Sequence, residues 1–164
     1  MQAATQPSNH EFFDLCSRAR RERARCHGDT ISYSPKVFIP LTRLCRDLCG
    51  YCVFRQEPGE VASPFLSPEQ VLEIARRGER AGCREALFVL GERPEARYGS
   101  ARRWLSGRGY DSSVHYLREM CALVLAETRL LPHSNPGTLT RAELVQLRPV
   151  NASMGLMLES SSPR

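Results

Sequence analysis

Lysine is almost absent from this chain of 164 residues. Lys36 is the only one, so nearly all of the 23 basic side chains are arginine. The net charge is +5 and the pI about 9.0. The arginines are interleaved with acids and form no aromatic-studded stripe, which argues against a nucleic-acid groove. Long hydrophobic runs are missing too. The longest covers residues 120–126, far short of the ~18 residues a membrane helix needs. The N-terminus has no basic start followed by an apolar core, so no secretory signal is expected. Arginines between residues 18 and 25 have a transit-peptide flavour, but Glu11, Asp14 and Glu22 contradict it. With 41% hydrophobic and 25% charged residues, the composition is that of a soluble globular chain of one-domain length. Collagen-like and disordered readings are excluded.

What the sequence does contain is cysteine. There are seven, an odd number. Cys45, Cys49 and Cys52 cluster, while Cys16, Cys26, Cys83 and Cys121 are scattered. A secreted disulfide framework would be small, loop-rich and evenly populated with cysteine. Helical patterns surround the scattered cysteines instead, which points to a reducing cytoplasm and a cofactor or metal at the cluster.

Hydrophobic periodicity gives an alternating order of elements. Residues 9–26 read as a helix closed by Gly28-Asp29, and residues 30–33 as a short strand or extended linker. Residues 36–42 read as a buried strand that ends or bulges at Pro40. Ser67-Pro68-Glu69-Gln70 opens a helix with a capping box, with Val71, Ile74, Ala75 and Gly78 inward and Gly82 at its end. Residues 85–90 form a second buried strand. The stretch 93–110 is polar and reads as a loop. Asp111 is expected to cap a helix with Val114, Leu117, Cys121, Val124 and Leu125 on its inner face. Residues 130–133 make a third strand. Thr140 and Glu143 form a second capping box, flanked by Leu139 and Leu144 as a hydrophobic staple, in a helix that stops at Pro149. Residues 151–158 make a fourth strand.

Strand, loop and helix in repetition imply a parallel sheet with crossover helices. The expected fold is α/β, a partial parallel barrel of about four strands. The expected division is a helical extension over residues 1–30 and a core over 31–164. A complete eight-unit barrel takes about 200–250 residues, so the barrel is expected to be incomplete. The fourth strand would then leave Met154, Leu156 and Leu158 on an open edge, and the chain alone would hold a cofactor at best.

Polar loops follow the C-terminal ends of the strands, where such barrels place their chemistry. The first carries Cys45-Arg46-Asp47-Leu48-Cys49-Gly50-Tyr51-Cys52. Three thiolates on one tight loop can hold three irons of a 4Fe–4S cluster and leave the fourth open to a small molecule. Zinc is the rival, but structural zinc takes four ligands, and Cys83, Cys121 and the histidines supply no matching pair.

This cysteine spacing, with an aromatic before the third thiol, resembles the signature of the radical S-adenosylmethionine enzymes. The stretches 33–54, Leu90-Gly91-Glu92-Arg93-Pro94-Glu95, His133-Ser134-Asn135-Pro136-Gly137 and 152–159 resemble the deazaflavin (FO) synthase family in the same order. The resemblance spans about residues 31–159, like the N-terminal half of fused two-domain forms, and departs at Val53, where threonine is expected. It implies a 4Fe–4S cluster on Cys45, Cys49 and Cys52, and S-adenosylmethionine cleaved to a 5'-deoxyadenosyl radical. The radical would act on a hydroxybenzyl-ribitylimino-dihydrouracil adduct. Ammonia would leave as 7,8-didemethyl-8-hydroxy-5-deazariboflavin forms, a carbon–nitrogen lyase reaction. A small-molecule substrate and a partner synthase domain or chain supplying the adduct are implied; nucleic acid and membrane are not.

By the same resemblance Tyr51 lies near the adenine, and Gly91 and Glu92 hold the methionine ammonium. Ser134 and Asn135 bind ribose or substrate, or else serve the turn before Pro136-Gly137. Ser153 and Glu159 touch ligand, or simply end a strand. Two alternatives stay open: the partner synthase that joins tyrosine to 5-amino-6-ribitylaminouracil, and a non-catalytic iron–sulfur or zinc module.

Overall fold

The computed structural model describes residues 8–157. The chain divides into two compact units between Tyr33 and Ser34. The first contains helix α1 (Asn9–His27). Ser8 caps it, and Glu11 returns its carboxylate to the Ser8 backbone in a capping box. No residue of α1 is buried. Residues 30–35 follow a turn at Gly28-Asp29 and take part in no strand pairing, so 30–33 form no strand.

The second unit is an α/β layer. Its elements run β1 (Lys36–Thr42), α2 (Pro68–Arg80), β2 (Glu85–Leu90), α3 (Pro94–Arg97), α4 (Gly99–Ser106) and α5 (Ser113–Glu127). They continue with β3 (Leu131–Asn135), α6 (Arg141–Leu147), a 3-10 turn (Arg148–Val150) and β4 (Ser153–Met154). The four strands lie in sequence order and are all parallel. Among the described residues the sheet does not close, so the fold is the partial parallel barrel that the alternation of elements implies. The β1–β2 register shifts between Pro40 and Thr42, where proline has no N–H to give to the ladder.

Strand pleating sorts the side chains. Ile39 and Leu41 of β1 and Ala86, Phe88 and Leu90 of β2 face the helices and are buried. They pack with Val71 and Ala75 of α2 and Leu117, Cys121 and Val124 of α5 in one core. The opposite face carries Phe38, Leu87, Val89, Leu131, His133 and Asn135, all at least partly exposed. It is the inner face of the partial barrel.

Several expectations are corrected. The stretch read as a loop over 93–110 contains α3 and α4. Its arginines mask a short apolar stripe in which Ala101 and Leu105 are buried. Trp104 packs tilted against Phe65 and edge-to-face against Tyr116, with ring centroids 5.0 Å apart in each case, so tertiary packing supplies what local periodicity lacks. Ser112, not Asp111, caps α5, with its side chain accepting from the His115 N–H at 3.1 Å. Leu125 is 39% exposed because the buried stripe runs through Tyr116, Leu117, Met120, Cys121 and Val124 and leaves it at the margin. Leu144, expected as a staple partner, is exposed as well. β3 starts one residue later and ends two later than expected. Leu130 stays outside the ladder because its N–H goes to Thr128 Oγ1 at 3.1 Å, and Asn135 still pairs with Val89. β4 is two residues rather than eight, with Leu156 exposed and Leu158 outside the described residues.

Gly78 shows how closely α2 approaches β1. A Cβ there would stand 2.3 Å from Val37 Cβ, which no side-chain adjustment accommodates cheaply. Gly78→Ala should lower unfolding stability by about 1–3 kcal/mol, and Val37→Ala in the same chain, which keeps the Cβ but removes the Cγ contacts at 2.6 and 2.7 Å, should recover part of it. Denaturant midpoints of the two variants check this; a Gly78→Ala chain as stable as the parent would contradict the close approach.

Candidate functional site

Three loops meet beyond the C-terminal ends of β1, β2 and β3. The first is anchored by buried Thr42. Its hydroxyl donates to Pro64 O at 2.6 Å and accepts from the Leu44 N–H at 3.2 Å. Leu44 is buried, and the cysteine loop leaves the core just after it. Cys45 is half-buried; Cys49 and Cys52 are exposed. A tight turn joins the latter two through Cys52 N–H to Cys49 O at 3.0 Å. Tyr51 is on this turn, largely exposed.

The second loop lies against the first. Gly91 is buried and donates its N–H to Thr42 O at 3.0 Å. A Cβ on it would stand 2.0 Å from Leu44 O, so only glycine fits. The next N–H, that of Glu92, points to Cys45 Sγ at 3.2 Å, and Asp47 N–H reaches the same sulfur at 3.4 Å. Burial pushes the Cys45 thiol up, against the lowering pull of these two N–H groups. Glu92 O accepts from Arg46 N–H at 2.9 Å. The cysteine loop and the Gly91-Glu92 turn are thus stitched backbone to backbone and backbone to sulfur.

The Glu92 carboxylate reaches the third loop. Thr138 donates its N–H at 3.2 Å to Oε2 and its hydroxyl to Oε1, and the Arg46 guanidinium also pairs with Oε1. Burial raises the Glu92 pKa, but the Thr138 hydrogen bonds and the charges of Arg46 and Arg93 outweigh it, leaving the carboxyl below its usual range. An ionised carboxylate offers about four acceptor positions; three are taken, and one on Oε2 remains.

The other candidates are placed as follows. Ser134 is fully buried on the helix-facing side of β3 and donates to Asn151 Oδ1 at 2.6 Å. Its hydroxyl is committed there. Asn135 lies at the top of β3 on the inner face. Ser153 is lower on that face, with its hydroxyl 2.7 Å from His133 Nδ1. Glu159 lies outside the described residues. The structure therefore brings together Cys45, Gly91 and Glu92, with Cys49, Tyr51 and Cys52 on the same loop as Cys45. It does not bring Ser134 or Ser153 to them.

Among the described residues no group of three His, Cys, Asp or Glu side chains converges on a preformed metal position. The donor set itself fits an iron–sulfur cluster better than zinc. It is three thiols on one accessible loop, one of them already accepting N–H hydrogen bonds of the kind that support a thiolate ligand. A closed zinc site would need a fourth donor. Cys83 precedes β2 at the other end of the sheet. Cys121 is buried in the core, and desolvation pushes its thiol up to about 12.

Sequence reasoning missed Thr138 altogether, gave Glu143 only a capping role and Arg93 only a place in a motif. The Arg93 guanidinium forms a two-pronged pair with Glu143, at 3.0 and 2.9 Å, and also reaches Thr138 O at 3.2 Å. Only a fold that sets the β2 and β3 loops side by side joins residues fifty positions apart.

Comparison with known proteins places these features. Residues 39–164 match the model of the Radical SAM superfamily. The chain is 57% identical over 134 residues to the 7,8-didemethyl-8-hydroxy-5-deazariboflavin synthase of Methanopyrus kandleri, covering 82% of this chain and 40% of that protein. It is 51% identical over 168 residues to the FO synthase of Mycobacterium tuberculosis, covering 94% of this chain and 20% of that one. It thus spans two fifths and one fifth of these relatives. Among solved structures, methylornithine synthase matches with a TM-score of 0.60 at 21% identity over 92% of this chain and 40% of its own length; that likeness concerns the fold alone.

Arg93 hydrogen-bonding holds the Glu143 carboxyl down at about 2, below the ordinary 4.5. A depressed carboxyl contributes stability above its unfolded pKa and loses it as pH falls toward the folded one. The stability difference between parent and Glu143→Gln should therefore be full at neutral pH and shrink as pH falls from about 4.5 to about 2. Thermal melts of both across that range check it; a constant difference would show that the pair does not carry it.

Proposed function

Because this chain belongs to the radical S-adenosylmethionine superfamily, we propose that Cys45, Cys49 and Cys52 ligate three irons of a 4Fe–4S cluster. The observation that carries this is the stitching of the cysteine loop to the Gly91-Glu92 turn, through Glu92 N–H to Cys45 Sγ at 3.2 Å. A cluster ligand and a carboxylate suited to an ammonium thereby share one rigid corner. When bound, the cluster and S-adenosylmethionine supply the electron and the hydrogen-abstracting radical of the reaction.

The chain's own residues do the placing. Glu92 keeps its charge at neutral pH and uses its free Oε2 position for the methionine ammonium, a charge-assisted hydrogen bond. Arg46 and Thr138 prevent it from rotating away. Tyr51, between two ligating cysteines, is where the adenine would lie. Asn135, at the rim of the inner face, is the polar group nearest the strand ends on the substrate side. Ser134 is proposed to support this rim from behind through Asn151, and not to meet ligand itself.

The similarity to proteins named for FO synthesis supports a role in making the deazaflavin chromophore. The step proposed is the lyase reaction that closes 7,8-didemethyl-8-hydroxy-5-deazariboflavin with loss of ammonia, using an adduct delivered by a partner synthase domain or chain. Residues 8–157 leave the inner face open, with Phe38 and Leu131 about half exposed, so they do not by themselves enclose that adduct.

Two measurements test the reading. After anaerobic reconstitution, Cys45→Ala, Cys49→Ala and Cys52→Ala should each lose most of the bound iron, whereas Cys16→Ala should match the parent. Parental iron content in all three variants would refute the ligand set, and a zinc-loaded colourless protein would favour a binding module. Separately, Glu92→Gln should weaken S-adenosylmethionine binding by about 1.5–3 kcal/mol, the scale of a hydrogen bond to a charged group, with iron content unchanged. Equal affinities by anaerobic calorimetry would remove Glu92 from the site.

A further inference from the structure

We propose that Glu143 is a positioning residue for this site, acting through Arg93 to hold the turn that presents Glu92. Among the described residues Arg93 is the one non-glycine with positive φ, at 38°. Side chains with a Cβ are disfavoured in this left-handed region. Such a conformation persists only when its surroundings over-determine it, and it recurs at ligand clamps. Pro94 follows directly at the first position of α3, so the chain direction changes abruptly here. Locally, the Arg93 carbonyl accepts the Ala96 N–H at 3.0 Å, which ties the backbone after the turn but not the side chain.

The hold comes from across the barrel rim. Glu143 takes both Nη atoms of Arg93, at 3.0 and 2.9 Å. Glu143 is itself fixed, because its Oε2 accepts the Thr140 N–H and hydroxyl, both at 2.8 Å, in the α6 capping box. The two side chains are only 24% and 18% exposed, so the pair is sheltered from screening. The second grip is on Thr138. Its carbonyl accepts from Arg93 at 3.2 Å and its N–H donates to Glu92 at 3.2 Å. Consecutive residues of the β2 turn thus take hold of both backbone polar groups of one residue on the β3 loop. The Glu92 carboxylate direction is set by this circuit, from α6 through Arg93 to Thr138.

The functional consequence rests on the reading of Glu92 as the ammonium partner; the structural one does not. Glu143→Gln is the informative change, because glutamine still completes a capping box while losing the ion pair. In the reconstituted full chain it should leave iron content unchanged, speed hydrogen exchange at the Arg46 and Thr138 amides, and weaken S-adenosylmethionine binding by about tenfold. Glycine adopts positive φ freely, so in an Arg93→Gly background the same Glu143→Gln change should have no further effect on exchange or affinity. Unchanged exchange at both amides, or an equal effect in the glycine background, would overturn the proposal. If the parent itself fails to bind S-adenosylmethionine, the reading of Glu92 falls, while the exchange rates still decide the clamp.

Discussion

The Leu44 carbonyl oxygen lies 2.0 Å from where a side-chain carbon on Gly91 would stand, and the top of the sheet is arranged around that closeness. With only a hydrogen on Gly91, the β2 turn seats itself against the start of the cysteine loop. The Gly91 N–H then reaches Thr42 O, and the Glu92 N–H reaches Cys45 Sγ. Any larger residue would push the loops apart and break both bonds. The juxtaposition of Cys45 and Glu92, on which the proposed function depends, follows from one missing methyl group.

The sheet's two faces divide the labour. The helix-facing side is filled by Ile39, Leu41, Ala86 and Phe88 against α2 and α5, and gives the strands a fixed platform. The inner side is sparsely filled. Lower on it, Lys36 pairs with Glu85, Glu85 with His133 at 3.4 Å, and His133 with Ser153 at 2.7 Å. This polar row ties the four strands together across the inner face. The larger share of the platform's stability comes from the apolar side, whose side chains are fully removed from water. The proposed site sits at the rim, where loops meet without having to fold a core of their own.

At the rim the charges are paired in a fixed order. Arg46 and Thr138 hold Glu92, while Glu143 and the Thr138 carbonyl hold Arg93. The left-handed Arg93 is the local disagreement between sequence preference and structure, and such disagreements concentrate at functional sites.

Much of the platform was legible from the residues. Apolar runs at 36–42 and 85–90 gave both strands to the residue, and the capping boxes at Ser67 and Thr140 placed the starts of α2 and α6. Those signals are local, carried by side chains that act on backbone a few positions away. The cysteine spacing was legible for the same reason, since three ligands on one loop need no distant partner. Helices α3 and α4 were not, because α4 packs Trp104 against Phe65 and Tyr116 from elsewhere in the chain, and Glu95 of α3 accepts from Ser113 eighteen residues away. Nor was the commitment of Ser134 to Asn151, or the grip of Arg93 and Glu92 on Thr138. The sequence by itself determined the alternation of strand and helix and the cluster of thiols. The tertiary structure alone decided which carboxylate faces that loop and what holds it there, because those partners lie about fifty residues apart and meet only once parallel strands have aligned their ends.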